Sequence, residues 1–283
     1  MKILETSDEL LVWRSSLPAE CSLGFVPTMG ALHGGHLSLI KKSIQSCDVT
    51  LISIFVNPRQ FGVGEDLDSY PRDVEADLKK ISGLDVGAVF MPSASDLYGD
   101  GDSFVVAETK ISKKFEGKSR PHFFNGVLTV VSKLFNLTRP HSVFFGKKDA
   151  QQLILVQKMV DSMKYPISVV GCETVRESGG LAMSSRNEYL SDDDRRRAQV
   201  IYKSLSDAKV LIDSGEKNPT IIKDTIKTTL LGVSSLTVDY ISIVDIDEFI
   251  EVENKIEPGV EYLISVAVFF KGVRLIDNIL VVV

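Results

Sequence analysis

Cysteine and histidine are scarce in this chain. Cys21, Cys47 and Cys172 are the only cysteines in 283 residues; odd in number, widely spaced and without a CxxC pair, they argue against a disulfide framework and fit a reducing compartment. Four histidines, without an HExxH motif and without a Cys near the paired ones, leave little material for a zinc site. Long apolar runs are missing too. The longest lies near Tyr262 to Phe270, short of the roughly 18 residues that span a bilayer, and Glu5, Asp8 and Glu9 fall where a signal peptide needs an apolar stretch. Nor is there an excess of positive charge. With 32 basic against 38 acidic side chains the formal charge is −6, which argues against a non-specific grip on nucleic acid or an anionic membrane. An anionic ligand therefore needs a local site. These absences leave a cytoplasmic protein with neither membrane nor nucleic acid as partner.

What is present is ordinary for a globular protein: 44% hydrophobic and 25% charged residues, in a chain long enough for about two domains and a sizeable core. From Leu23 onward, short β-branched or aromatic runs alternate with helix-period stretches: LGFVP, GHLSLIKKSIQSC, VTLISIFV, DVEADLKKI, VGAVFMP. Leu37, Ile40, Ile44 and Cys47 form one helical stripe, with Lys41 and Lys42 outside it. After an insertion the rhythm resumes: Val127, Val130, Leu134 and Leu137 make a second stripe, SVFFG a strand, Leu153, Val156, Met159 and Val160 a third stripe, and ISVVGC a strand. Five strands in this βαβ rhythm predict a Rossmann-like, doubly wound parallel sheet over residues 1–175.

The pattern changes in RESGGLAMSSRN, a Gly- and Ser-rich loop. Ser191 and Asp194 have capping-box spacing ahead of a helix through Ile201, Leu205, Ala208 and Ile212 that Gly215 can end. A helix around Ile221 to Leu231 follows, then strand-like LTVDYISIVD, YLISVAVFF and RLIDNILVVV, joined by turns with EPG and KG. Helices followed by antiparallel strands predict a smaller α+β domain over 176–283.

Three segments carry chemistry. FVPTMGALHGGH at 25–36 sits where a strand ends and a helix begins, which is where open α/β sheets bind ligands. Gly30, Gly34 and Gly35 let the backbone approach a ligand, and the helix N-terminus presents unpaired N–H groups to a phosphate. His33 and His36, three apart, can both donate to one anion. Read alone, an HxxH is more often a capping His33 beside a buried His36; the glycines and the strand-to-helix placement reverse that and favour the phosphate site. FFGKKDAQQL at 144–153 again follows a strand and opens a helix. Gly146 frees the turn, Lys147 and Lys148 bring charge, and Asp149 can cap the helix or meet a ribose hydroxyl or Mg²⁺; read alone, GKKD is more often a solvated turn. MSSRN at 183–187 offers two hydroxyls and a guanidinium suited to β- and γ-phosphates, or a capped turn between domains. There is no GxxxxGK[ST] and no GxGxxG, so neither a P-loop enzyme nor a dinucleotide oxidoreductase is indicated.

The HxxH pair within PTMGALHGGH resembles the HIGH element of the nucleotidyltransferase superfamily, and MSSR resembles its KMSKS-type loop. The likeness narrows further. PTMGALHGGH, FVNPRQF at 55–61, FEGKSRP at 115–121, FGKKDAQQL at 145–153 and TVRESGGLAMSSRNEYL at 174–190 resemble the pantoate–β-alanine ligase family in order and spacing. The resemblance implies condensation of pantoate with β-alanine at the expense of ATP through a pantoyl adenylate, with AMP and pyrophosphate released. It also implies use of Mg²⁺, no organic cofactor, and a homodimer formed by the N-terminal domain. Met29, Gly30, Ala31, Leu32, His33, Gly34, Gly35 and His36 would line the ATP site, with His36 the principal transition-state donor and His33 a phosphate contact. Gly146, Lys147, Lys148, Asp149, Val175, Met183, Ser184, Ser185 and Arg186 would complete it, with Lys148 on phosphate, Val175 offering backbone to adenine and Asp149 near Mg²⁺. Gln60 and Gln152 would hold pantoate, with Asn57 beside them, and Arg120 or Arg186 would take the carboxylate of β-alanine. The 176–190 loop, or the whole C-terminal domain, is expected to move on ATP binding.

Two positions depart from the family pattern. His122 and Phe123 stand as RPHFF where the family reads RPxHF, and Lys147 stands where a Glu is common. The alternatives kept open are another nucleotidyltransferase of the same superfamily, which would not need Gln60 and Gln152, and a non-catalytic nucleotide sensor, which could dispense with His36 or Arg186.

Overall fold

The β-branched runs of the N-terminal part pair into one parallel sheet. A computed structural model describes residues 1–283, and the chain divides into two units, Met1–Glu173 and Thr174–Val283. In chain order the first unit contains β1 (Lys2–Leu4), α1 (Ser7–Ser15), β2 (Leu23–Thr28), α2 (Gly34–Ser46), β3 (Val49–Ile54), α3 (Val74–Ile81), β4 (Ala88–Phe90), α4 (Ala94–Tyr98), α5 (Glu116–Ser119), α6 (Phe123–Thr138), β5 (Ser142–Gly146), α7 (Ala150–Met163) and β6 (Ser168–Cys172). The strands lie in the order β1-β4-β3-β2-β5-β6, all parallel. From β2 the chain steps outward through β3 to β4, then returns to the other side of β2 with β5 and β6. The order therefore reverses between β2 and β5, and a doubly wound sheet opens its ligand crevice at the carboxyl ends of those two strands.

Both faces of the sheet are covered: successive residues Phe25 and Val26, Leu51 and Ile52, and Val143 and Phe144 are all buried, as a helix-sandwiched parallel sheet requires. The sheet has six strands rather than five. The sixth, β1, is a three-residue edge strand paired with β4, too short to show periodicity. α1 is opened by a capping box between Thr6 and Glu9. In α2 the buried face is centred on Leu39, Ile40 and Ser43, with Leu37, Ile44 and Cys47 at its edges; Ser43 Oγ is hydrogen-bonded to Thr50 Oγ1 at 2.8 Å, which satisfies a hydroxyl inside the helix–sheet interface. α6 is buried nearly all round, from Phe124 to Phe135, and so is a central helix rather than an amphipathic cover. The three cysteines are unbridged, and no helix is long and apolar enough to cross a membrane.

The second unit contains α8 (Asp192–Ala198), α9 (Val200–Asp213), α10 (Pro219–Leu231), β7 (Leu236–Asp245), β8 (Glu261–Phe270) and β9 (Val273–Val282), the strands forming an antiparallel sheet in sequence order. Ile201, Leu205, Ala208 and Ile212 of α9 and Ile222, Ile226 and Leu230 of α10 share one core with Ile243, Ile264, Val266 and Val268 of the sheet. Lys271 and Gly272, both at positive φ, form the two-residue turn that suits the twist of the β8–β9 hairpin. The charged run 192–197 becomes α8, acidic in its first turn and basic in its last, each sign facing the favourable end of the helix dipole.

Candidate active site

At the end of β2, Thr28 Oγ1 donates to the Ser53 carbonyl at 2.7 Å and accepts the Gly30 N–H at 3.1 Å. The chain then turns through two left-handed residues, Gly30 (φ 82°) and Ala31 (φ 49°); for alanine this costs about 1 kcal/mol or more and needs outside support. α3 supplies it. Asp77, buried at 2% exposure, accepts the Leu32 N–H at 2.7 Å, while Lys80 Nζ donates to the Leu32 carbonyl at 2.7 Å and lies 3.6 Å from Asp77. Neither residue stands out in the motifs. The available signal was a carboxylate four residues before buried Ile81, on the inward face of a helix where a charge needs a partner.

His33 is the N-cap of α2: its Nδ1 accepts the Gly35 N–H at 3.1 Å, and His36 Nδ1 accepts the His33 N–H at 3.3 Å. The rings lie 4.1 Å apart, tilted by 38°. Because each Nδ1 is an acceptor, each proton sits on Nε2. Burial, assisted by the charge of Lys148, lowers the His33 pKa from 6.5 to about 4. Burial and the adjacent His33 lower that of His36 to about 3. Both are neutral Nε2–H donors at pH 7. Capping and anion contact, which the sequence offered as alternatives for His33, use different nitrogens of the same ring and do not compete.

β5 ends at Gly146, and a single 3₁₀ turn, Lys147–Asp149, leads into α7. Lys148 is near enough to both imidazoles for its charge to depress each, which brings the second motif to the first across the β2–β5 crevice. Asp149 Oδ1 is 3.8 Å from Lys148 Nζ. Lys147 instead pairs with Glu173, an exposed carboxylate just beyond β6. The two glutamines that open α7 differ sharply. Gln151 is buried and spends its amide on the carbonyls of Ile111 and Lys114 and the N–H of Glu116, whereas Gln152 is only half-buried.

Asn57 is 1% exposed. Its Oδ1 accepts from the Tyr98 hydroxyl (2.6 Å) and the Arg59 N–H (3.2 Å), and its Nδ2 donates to Gln60 Oε1 and the Gly126 carbonyl, both at 3.1 Å. That uses the whole hydrogen-bonding capacity of an asparagine, so Asn57 has no side-chain group left to offer a ligand. Holding Gln60 by its oxygen turns the Nε2 toward Met29 Sδ, 2.9 Å away. Burial pushes the Tyr98 hydroxyl up to about 12, keeping it a donor. Arg120 is similarly committed. It bonds Glu65 twice, at 2.7 and 2.5 Å, reaches Glu116 and the Gln60 carbonyl at 3.4 Å, and lies 3.9 Å over the Phe123 ring. With two carboxylates already around it, the guanidinium is a clamp between the 62–70 segment and α5 and a poor receptor for a third. The residue at the departure from the family pattern, Phe123, serves as its platform.

In the second unit, Val175 accepts the Met183 N–H at 2.9 Å, closing a short hairpin that delivers Met183, Ser184, Ser185 and Arg186. Ser184 Oγ accepts the Arg186 N–H at 3.3 Å and caps the 3₁₀ turn Ser185–Tyr189; Ser185 is buried in it. No cluster of three or more His, Cys, Asp or Glu converges anywhere in the chain.

Comparison with known proteins fits this geometry. Residues 2–280 match the family model described as pantoate-beta-alanine ligase. The pantothenate synthetase of Thermosipho africanus is 46% identical over 282 residues, covering 99% of this chain and all of the relative. The crystal structure of pantothenate synthetase from Thermus thermophilus superposes with a TM-score of 0.91 at 38% identity, covering 99% of both chains. A pantoate-beta-alanine ligase from Francisella tularensis, complexed with beta-gamma ATP and beta-alanine, does so with a TM-score of 0.82 at 36% identity, covering 99% of this chain and 97% of that one. Matched along its whole length in sequence and in fold, the chain belongs to the pantoate–β-alanine ligase family of ATP-dependent ligases.

Proposed function

We propose that this chain makes pantothenate in two half-reactions. A pantoate carboxylate oxygen attacks the α-phosphorus of ATP, forming an enzyme-bound pantoyl adenylate as the bond to pyrophosphate breaks. The amine of β-alanine then attacks the acyl carbon, the bond to AMP breaks, and the amine proton is lost. The single observation that carries this reading is the pair of neutral Nε2–H imidazoles, His33 and His36, held beside Lys148 where the strand order reverses. Preorganised donors at the α-phosphoryl group stabilise the charge that builds there, and such electrostatics supplies most of the catalysis in phosphoryl and nucleotidyl transfer.

His36 is assigned to the α-phosphoryl group, His33 and Lys148 to phosphate oxygens, and Ser184, Ser185 and Arg186 to the departing pyrophosphate. Gly30, Gly34, Gly35 and Gly146 give close approach for the nucleotide, and Val175 offers backbone to adenine. Gln60 and Gln152 hold pantoate, each with one donor and one acceptor face. Asn57 orients Gln60, Arg120 braces the wall, and Arg186 takes the β-alanine carboxylate once pyrophosphate has left. Asp149, half-exposed beside Lys148, suits Mg²⁺, which keeps most of its waters and is held by one or two carboxylates together with substrate phosphates; bound there, the ion would screen phosphate charge. Residues 1–175 act as the nucleotide and pantoate domain and 176–283 as its lid. A cytoplasmic homodimer built on the first domain accompanies this reading, and the exposed Val63, Phe104 and Val105 give that domain apolar surface to cover.

The test is ATP–pyrophosphate exchange. Purified protein with Mg²⁺ should exchange label only when pantoate is present, and AMP should accumulate only when β-alanine is added. Exchange without pantoate would favour another nucleotidyltransferase; none under any condition would favour a nucleotide sensor.

A further inference from the structure

Inside the second unit, the hairpin that carries Ser184 to Arg186 is fastened by an ion pair between residues 101 apart in the chain. Arg176, which opens the hairpin, meets Asp277 of β9 in a two-pronged contact, Nη1 to Oδ2 at 2.6 Å and Nη2 to Oδ1 at 3.0 Å. Asp277 is almost wholly buried, with 2% of its side chain exposed. The same Nη1 donates to the Gly180 carbonyl at 3.0 Å, and the guanidinium lies 3.7 Å over the ring of Tyr202 on α9. We propose that Arg176 and Asp277 are positioning residues for the Ser184–Arg186 turn, and that this turn moves only as one body with the three-stranded sheet, not as a flexible lid of its own.

Further attachments of the segment point the same way. The hairpin is closed by Glu177 N–H to the Leu181 carbonyl at 2.8 Å and Met183 N–H to the Val175 carbonyl at 2.9 Å. Its tip rests against the start of α9 and the residue before it: a Cβ on Gly179 would fall 1.9 Å from the Gln199 side chain, and one on Gly180 2.6 Å from Tyr202 Cδ1. The far end is tied back as well. Asn187, 3% exposed, donates to Glu177 Oε1 at 2.8 Å and to the Ala182 carbonyl at 3.1 Å, and its own carbonyl accepts from Arg195 of α8 at 3.0 Å. From Arg176 to Asn187 the chain thus has few independent torsions to spend. A flexible lid shows the opposite signature, with few buried contacts and solvent-bonded backbone.

The consequence for catalysis follows from the reading of the turn as the pyrophosphate site, on which the inference rests. Donors for a leaving group act only if held in place before the bond breaks, and a misplacement of about 1 Å can cost about 10²-fold. The fork of Arg176 supplies that stiffness because two parallel bonds to one carboxylate fix its orientation as well as its distance. A lysine in its place keeps the charge and loses the second prong.

The experiment uses the full-length chain with Asp277→Asn, Arg176→Lys and the double variant. In pantoate-dependent ATP–pyrophosphate exchange, each single variant should lose about tenfold or more in kcat with the pantoate KM held within about twofold. The double variant should lose no more than the worse single one, since both remove the same brace. In the wild type, hydrogen exchange at the amides of residues 183–187 should be as slow as in β9, and Asp277→Asn should speed it. A wild-type exchange rate at 183–187 typical of an open loop overturns the proposal even if no variant folds. So does wild-type kcat in a folded Asp277→Asn variant. A wild type without pantoate-dependent label exchange refutes the functional reading instead, and leaves the hydrogen-exchange result to decide the brace.

Discussion

His36 Nδ1 takes the main-chain N–H of His33, and His33 Nδ1 takes that of Gly35, so two imidazoles close the first turn of α2 in place of the usual hydroxyl and carboxylate. With folded pKa values of about 4 and 3, both stay neutral well into acid. The pH profile of kcat for label exchange should therefore show no acid limb near 6.5, the usual histidine value. Stability should behave differently. Between 6.5 and the lowered values the unfolded chain binds protons that the folded chain refuses, so the contribution is complete above about pH 6.5 and is lost as the pH falls toward 4. Thermal unfolding measured across that window should show Tm falling with pH, and a His33→Gln/His36→Gln variant should flatten the slope.

Replacing His36 by Ala removes the Nε2–H donor proposed for the α-phosphoryl group and should lower kcat for label exchange by about 10²-fold or more. A change confined to KM would make His36 a binding residue only.

Neighbouring glutamines should separate stability from binding. Gln151→Ala removes a buried amide that bonds three backbone groups; the Ile111 and Lys114 carbonyls each keep another donor, while the Glu116 N–H loses this acceptor, at a cost of about 1–3 kcal/mol in urea unfolding. Gln152→Ala should leave the unfolding midpoint nearly unchanged and raise the pantoate KM. The reverse pattern would mean that the two roles are exchanged.

Much of this was legible in the sequence because it is local. A glycine after a β-branched run marks where a strand must end, so the segments around Gly30 and Gly146 could be placed at strand ends before their neighbours in space were known. Alternation placed β7 at the very residues it occupies, Leu236–Asp245. Illegible were the partners of polar side chains. Arg120 finds Glu65 from 55 residues away and Asn57 finds Tyr98 from 41; either could have been a ligand contact, because composition and spacing carry no record of which distant group satisfies a buried donor. The all-round burial of α6 has the same origin. Its stripe of Val127, Val130 and Leu134 was visible, but the burial of Thr129 and Ser132 on its other side depends on what packs there.

Gly126 ties that buried helix to the turn that carries Gln60. A Cβ at this position would lie 2.2 Å from the Arg59 carbonyl oxygen and 2.6 Å from Gln60 Cα. Both are backbone atoms of the short turn Pro58–Gln60, so no side chain can swing aside to make room. Gly126→Ala must push that turn away from α6, stretching the bond from Asn57 to the Gly126 carbonyl and carrying Gln60 with it. Overpacking of this kind costs about 1–3 kcal/mol, to be read from urea unfolding. Because the loop proposed to bind ATP is held separately by Asp77 and Lys80 of α3, the KM for ATP should change little while that for pantoate rises. An equal rise in both would place the damage in the sheet as a whole, and a loss of stability with pantoate KM unchanged would remove Gln60 from the pantoate site.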